Sequence, residues 1–162
     1  MSNVFIIRDH LLHELEHGVR TTRGVVQRIQ PDQWEYRPKE NMRTLLELTR
    51  HLVMLPATDL AIIREMQGGP EFERIEGDVQ GITDAQQLSG LMQEQFEAMK
   101  DYFLSLTEEE FLDKYTKPFY ADQGSVQVKW LIEVVTHVFH HRAQLFNYLK
   151  ELGHEINMFD LY

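Results

Sequence analysis

Apolar residues recur every three or four positions through most of this chain, and the recurrence breaks at a few turn-forming residues. From Val4 to Ile29 the spacing predicts a first helix, which stops at Gln30-Pro31 because proline disfavours helix in the residue before it. A second helical stretch runs from Asn41 to Met66 and meets Gly68-Gly69-Pro70. A third opens at Thr83, with Gln86 three residues on in a capping-box arrangement, and reaches Leu106. Thr107 and Glu110 repeat that signature and predict a short extra helix. The last helix is expected from Ser125, behind the turn-forming Asp122-Gln123-Gly124, to Gly153, a suitable C-terminal stop. Only the stretch from Tyr115 to Val128 has strand character, and it is weak. The prediction is an all-α fold: one four-helix-bundle domain over residues 1–162, with long second and third connections.

Composition changes this picture in three ways. An apolar content of 43% suits a folded core, and 162 residues suit a single one. A net charge of −10 with no Lys/Arg cluster argues against a nucleic-acid surface, since phosphates demand a basic face. No apolar run reaches the ~18 residues that a membrane span needs, and the opening MSNVFIIRDH is too short in apolar residues for a signal peptide, so a cytoplasmic protein is expected. Cysteine is absent, which removes disulfides, thiolate ligands and a cysteine nucleophile. Any metal must be held by His, Asp or Glu, and any thiol chemistry must use a thiol brought in by a substrate.

The last helix carries His137, His140 and His141 within THVFHHRAQL. A helix advances about 100° per residue, so His141 lies about 40° from His137, with Trp130, Tyr148, Val134 and Leu152 on the same side. These two imidazoles therefore sit on the apolar face, one turn apart. His140 falls at the margin, beside Glu133 and Asn147. A buried neutral histidine must satisfy one N–H and one bare nitrogen. Charging both rings would set like charges side by side. A divalent cation resolves both difficulties by taking a lone pair from each ring. A third ligand is needed, and His51 is the candidate, sharing the face of Leu48 and Leu55 in the second helix. Pro56 cannot donate to the carbonyl of Leu52, so a bend is expected just beyond His51. Periodicity alone leaves two readings open, satisfied core histidines or a metal site.

Two stretches resemble a known family. QWEYRPKENMRTLLELTRHL (33–52) and HVFHHRAQLFNYLKELGHEINMFDLY (137–162) are similar to the DinB-like family of metal-dependent enzymes. The likeness lies in a Trp followed by a Pro after the first helix, a central His in the second, and the H-x-x-x-H-R-x-Q-L run in the fourth. The resemblance implies a four-helix bundle in which His51, His137 and His141 hold one divalent ion per chain, zinc or nickel. It also implies a homodimer, and for some relatives a low-molecular-weight thiol cosubstrate such as bacillithiol or mycothiol. Ala143 stands where many members carry glycine, a departure that touches no ligand.

Three imidazoles leave a tetrahedral ion one open position, the arrangement of catalytic sites. Such a centre acidifies water or a thiol, so hydrolysis and thiol transfer of a small-molecule substrate are two uses of one site. Glu133 and Glu47, each one turn before a ligand histidine, are candidates for an acceptor or proton carrier, and Gln144 for orienting a ligand or the substrate. Both glutamates can also be read as solvated edge charges. Arg142 points away from the metal face, towards a helix surface or an interface. His10, His13 and His17 share a face of the first helix but spread over about two turns, too far for one ion, and are read with His140 and His154 as surface or interface residues. A di-iron carboxylate centre would need Glu-x-x-His pairs; Glu14 with His17 and Glu151 with His154 have that spacing, but the second pair straddles the end of its helix at Gly153. A non-catalytic bundle, stabilised by its metal and serving as an interaction or stress-response module, is the remaining alternative.

Overall fold

The computed structural model describes residues 3–66 and 68–162. Four long helices form the body: α1 (Asn3–Val26), α2 (Leu45–Ile63), α4 (Ala85–Ser105) and α6 (Gln127–Glu151), with two short ones, α3 (Gly69–Val79) and α5 (Glu108–Asp113), in the connections. Tyr115–Thr116 (β1) and Ser125–Val126 (β2) pair antiparallel, the full extent of the strand character expected there. Among the described residues no helix is long and apolar enough to cross a membrane.

The first helix packs on α4 and α6, and so does α2, which puts α1 and α2 at opposite corners of the bundle. The long first connection follows from that diagonal step. The same arrangement makes α2 and α6 neighbours, so residues on their facing stripes meet. The core between the four helices is apolar and nearly solvent-free, filled by residues such as Leu15, Leu48, Leu52, Phe96, Phe103 and Leu145. Each such side chain contributes about 1.5–3 kcal/mol relative to exposure.

Helix boundaries differ from expectation where local capping wins over periodicity. The second helix begins four residues later than its apolar pattern, because Thr44 and Glu47 close a reciprocal capping box. It ends earlier too: Glu65 has a φ of 61°, outside the helical region. The third long helix is capped by Asp84, which accepts from the Gln87 amide, not by Thr83. The last helix starts at Gln127, since Ser125 and Val126 are spent on the β-pair. The 11-residue α3 was not expected. Gly68-Gly69-Pro70 was read only as a stop, yet proline in the first turn also starts a helix. Pro56 lies inside α2, and the helix continues through it.

The β-pair is bolted to the bundle by a small polar network. Thr116 Oγ1 donates to the Ile63 carbonyl, and the Gln127 amide donates to Thr116 Oγ1 and the Lys114 carbonyl. Trp130 Nε1 donates to the Thr116 carbonyl. These bonds fix the hairpin loop, with Phe119 and Tyr120, against the start of α6. Gly124 closes the loop: a Cβ there would stand 2.1 Å from the Thr116 carbonyl oxygen.

Gly124→Ala should therefore open the hairpin and lower stability by about 1–3 kcal/mol. Gly24→Ala, on an exposed helical site with nothing within 4 Å of the new Cβ, should be neutral or stabilising by up to about 1 kcal/mol. Urea unfolding of the two variants checks the contrast.

Candidate metal centre

His51 projects from α2, and His137 and His141 from α6, into the seam between these neighbouring helices. One ligand nitrogen from each lies within 4.8 Å of the other two, the one such group of three or more His, Asp or Glu among the described residues. His51 Nε2 and His141 Nε2 are 3.1 Å apart. Two nitrogens bound tetrahedrally to zinc at about 2.0–2.1 Å would stand about 3.4 Å apart, so the pair is already close to chelating distance.

The outer ring nitrogens are engaged in a way that frees the inner ones. His141 Nδ1 donates to Gln144 Oε1 at 2.8 Å, and His137 Nδ1 donates to Asp59 Oδ2 at 3.2 Å. Each bond selects the tautomer whose Nε2 carries a lone pair. Burial, helped by Arg43 and the two other imidazoles, pushes His51 down to about 4 from its ordinary 6.5. Burial likewise lowers His141, against the raising effect of Gln144, with His137, His140 and Arg43 adding to the fall. Burial thus favours the uncharged form of His51 and His141, which is the form that binds a metal. Two bare nitrogens facing each other are unfavourable unless a proton or a cation lies between them. The donor set thus fits a divalent ion with three imidazole ligands.

The remaining candidates fall into different roles. Gln144 lies in the centre, holding His141 and also donating to His140 Nε2 at 3.3 Å. Glu133 lines the adjoining cavity and pairs with Lys129. Glu47 is exposed; its carboxylate accepts from the Thr44 amide at 2.7 Å and from Arg37 at 3.4 Å, which commits it to the helix cap. Asp59 was missed. It lies two turns beyond His51 in LPATDLAII, where a single acid inside an apolar run was the available signal.

The other charged and imidazole side chains lie elsewhere. Arg142 is buried, not at the surface, donating to Thr21 Oγ1 at 2.6 Å and the Leu161 carbonyl at 3.2 Å. His10, His13 and His140 are exposed. His17 bonds the Leu161 carbonyl at 2.9 Å and His154 bonds Gln33, while Glu151 accepts from Tyr36, so neither Glu-x-x-His pair is assembled for two irons.

Beside the cluster opens a cavity of about 490 Å³, within the range of small-molecule sites. His51 and His137 form part of its wall, with Trp130 and Val134 of α6, Leu55 and Asp59 of α2, and Phe119 and Tyr120 of the hairpin loop also lining it.

The whole chain, residues 1–162, matches the family model of the DinB family. It is 27% identical over 143 residues to the uncharacterized protein YjoA of Bacillus subtilis strain 168, covering 88% of each chain. A solved structure assigned to the DinB family, from Exiguobacterium sibiricum 255-15, superimposes with a TM-score of 0.77 at 26% identity, over 100% of this chain and 99% of that one. The DinB-like protein of Bacillus cereus ATCC 10987 shares the fold at a TM-score of 0.71 and 14% identity, over 90% of this chain and 92% of its own. This chain belongs to the DinB family.

His137→Ala should abolish stoichiometric metal while leaving helix content unchanged, as elemental analysis and circular dichroism would show. Asp59→Asn should keep all three ligands and weaken metal affinity by about tenfold, measured by competition with a chromophoric chelator.

Proposed function

We propose, from membership of the DinB family and from a cluster of three imidazoles, two of them in the wall of a small-molecule-sized cavity, that this chain is a metal-dependent enzyme. It acts as a hydrolase or a low-molecular-weight-thiol S-transferase on a small molecule. His51, His137 and His141 would hold one zinc or nickel ion per chain. When bound, such an ion acidifies water or a thiol at its fourth position and polarises the group under attack.

The chain's own residues supply the rest. Asp59 and Gln144 fix the tautomers and orientations of His137 and His141. Glu133, on the cavity wall, is placed to take the proton released by the nucleophile and return it to the leaving group. Lys129 pairs with that carboxylate and orients it. The apolar wall formed by Leu55, Ile62 and Val134 lowers the local dielectric and strengthens charge interactions beside it. In the thiol reaction, sulfur bonds to the electrophilic carbon as the leaving group departs, and the thiol proton travels by way of Glu133. With no cysteine in the chain, the sulfur has to come from a cosubstrate.

The observation that carries this reading is the position of His51 and His137 on the cavity wall, which exposes the ligand set to a chamber instead of sealing it in the core. Metal-loaded protein should bind about one ion per chain and turn over electrophiles with thiol or with water. Glu133→Gln should retain the metal and lose a factor of about 10²–10⁴ in kcat. A chain that loads metal, unfolds when it is chelated, and is silent across a broad panel of hydrolysable substrates and electrophile–thiol pairs is instead a non-catalytic metal-stabilised bundle.

A further inference from the structure

The walls of the cavity beside the three imidazoles follow a pattern of their own. Their aromatic part comes from Phe72 of α3, Phe119 and Tyr120 of the hairpin loop, and Trp130 of α6. Their ionisable part, outside the histidines, is acidic throughout: Asp59, Glu76 and Glu133. The chain has 16 lysines and arginines, yet among the described residues none lines this cavity. Lys129 meets Glu133 from outside the lining, and Arg43 influences His51 and His141 from beyond it. A chamber for a carboxylate or phosphate places arginine or lysine where the anion will sit. This one does the opposite.

Phe119 and Tyr120 stand on the solvent-exposed side of the cavity, and Trp130 is buried. Phe119 meets Phe72 edge-to-face at 5.7 Å and Tyr120 edge-to-face at 5.3 Å. Yet Phe119 is 67% and Tyr120 63% exposed, large rings left in water beside an open cavity. Such a surface marks something that comes to cover it. The faces of aromatic rings attract cations, and carboxylates add a Coulomb attraction that grows as water is excluded. Tyr120 already feels that field: burial, then Asp59 and Glu133, hold its hydroxyl above the ordinary value.

We infer that the substrate of this centre is an organic cation, an apolar body of roughly aromatic-ring size that bears a protonated or quaternary nitrogen. Its nitrogen lodges among Phe72, Phe119, Tyr120 and the carboxylates, and its reacting group faces His51 and His137. The inference rests on reading this cavity as the substrate chamber of the metal centre. The same walls disfavour substrates that carry carboxylates or phosphates.

Three probes of one shape and different charge test it: benzyltrimethylammonium, benzyl alcohol and phenylmethanesulfonate, each titrated calorimetrically into the zinc-loaded chain. Benzyltrimethylammonium has no lone pair, so its binding reports the walls and not the ion. It should bind about tenfold more tightly than the alcohol, with the sulfonate weakest. Glu76→Gln should weaken the cation about threefold and leave the alcohol unchanged. Phe119→Leu should also weaken the cation more than the alcohol. Equal or tighter binding of the sulfonate, or no measurable binding of any probe, overturns the inference. The metal-free His141→Ala chain separates this result from the proposed function. If zinc never loads but the cation preference is present there, the enzyme reading fails and the charge selectivity stands. If zinc loads and turnover is seen while the sulfonate wins, the reverse holds.

Discussion

His51 and His141 face each other across the α2–α6 seam with ring nitrogens 3.1 Å apart, in surroundings that oppose protonation of either ring. Polar nitrogens in that position impose conditions on everything around them. The two helices must occupy adjacent corners of the bundle, which this chain achieves with a diagonal step from α1 to α2 and a long first connection. The outer nitrogens of His137 and His141 must find acceptors, which Asp59 and Gln144 supply. The inner nitrogens must then share a proton or a cation. An apolar substitute at any of these three positions would pack at lower electrostatic cost, so their presence in the seam speaks for binding.

Rigidity around the seam comes from bonds remote from the imidazoles. The Thr44–Glu47 box fixes the start of α2, less than two turns before His51. Thr116, Gln127 and Trp130 tie the hairpin to the end of α2 and the beginning of α6. On the opposite flank, Arg142 is held between Thr21 and the Leu161 carbonyl, joining α6 to α1 and to the final turn of the chain. The histidines are thus carried on two helices whose ends are fixed, which favours precise placement of ligands.

Helical spacing exposed the fold class and the three imidazoles, because a 3.6-residue period converts position into direction wherever a helix is long and regular. His137 and His141 share a face for that reason, and His51 could be placed on the apolar stripe of its own helix in the same way. Spacing fails where one side chain has two possible partners. Glu47 stands one turn from His51 but also three residues from Thr44, and the cap took it. Asp59 is a partner of His137, on another helix, so its own helix marks it as an acid in an apolar run without naming that partner. Arg142 does point away from the metal face, but what it points into is α1 and the chain's last turn, a tertiary relation that no local pattern contains. The helix α3 was hidden behind Gly-Gly-Pro, where a stop and a start look alike.

The covers of the cavity have a different origin from its floor. Phe72 belongs to α3 and Phe119 to the hairpin loop, both segments that link long helices, whereas His51, His137, Val134 and Trp130 stand on the bundle itself. Residues in the links can be exchanged, lengthened or shortened without disturbing the interior packing that holds the imidazoles. Bundles of this kind can therefore diverge in what they admit while keeping the same ligand geometry. Selection for new specificity in this scaffold would act first on the two segments that connect α2 to α4 and α4 to α6.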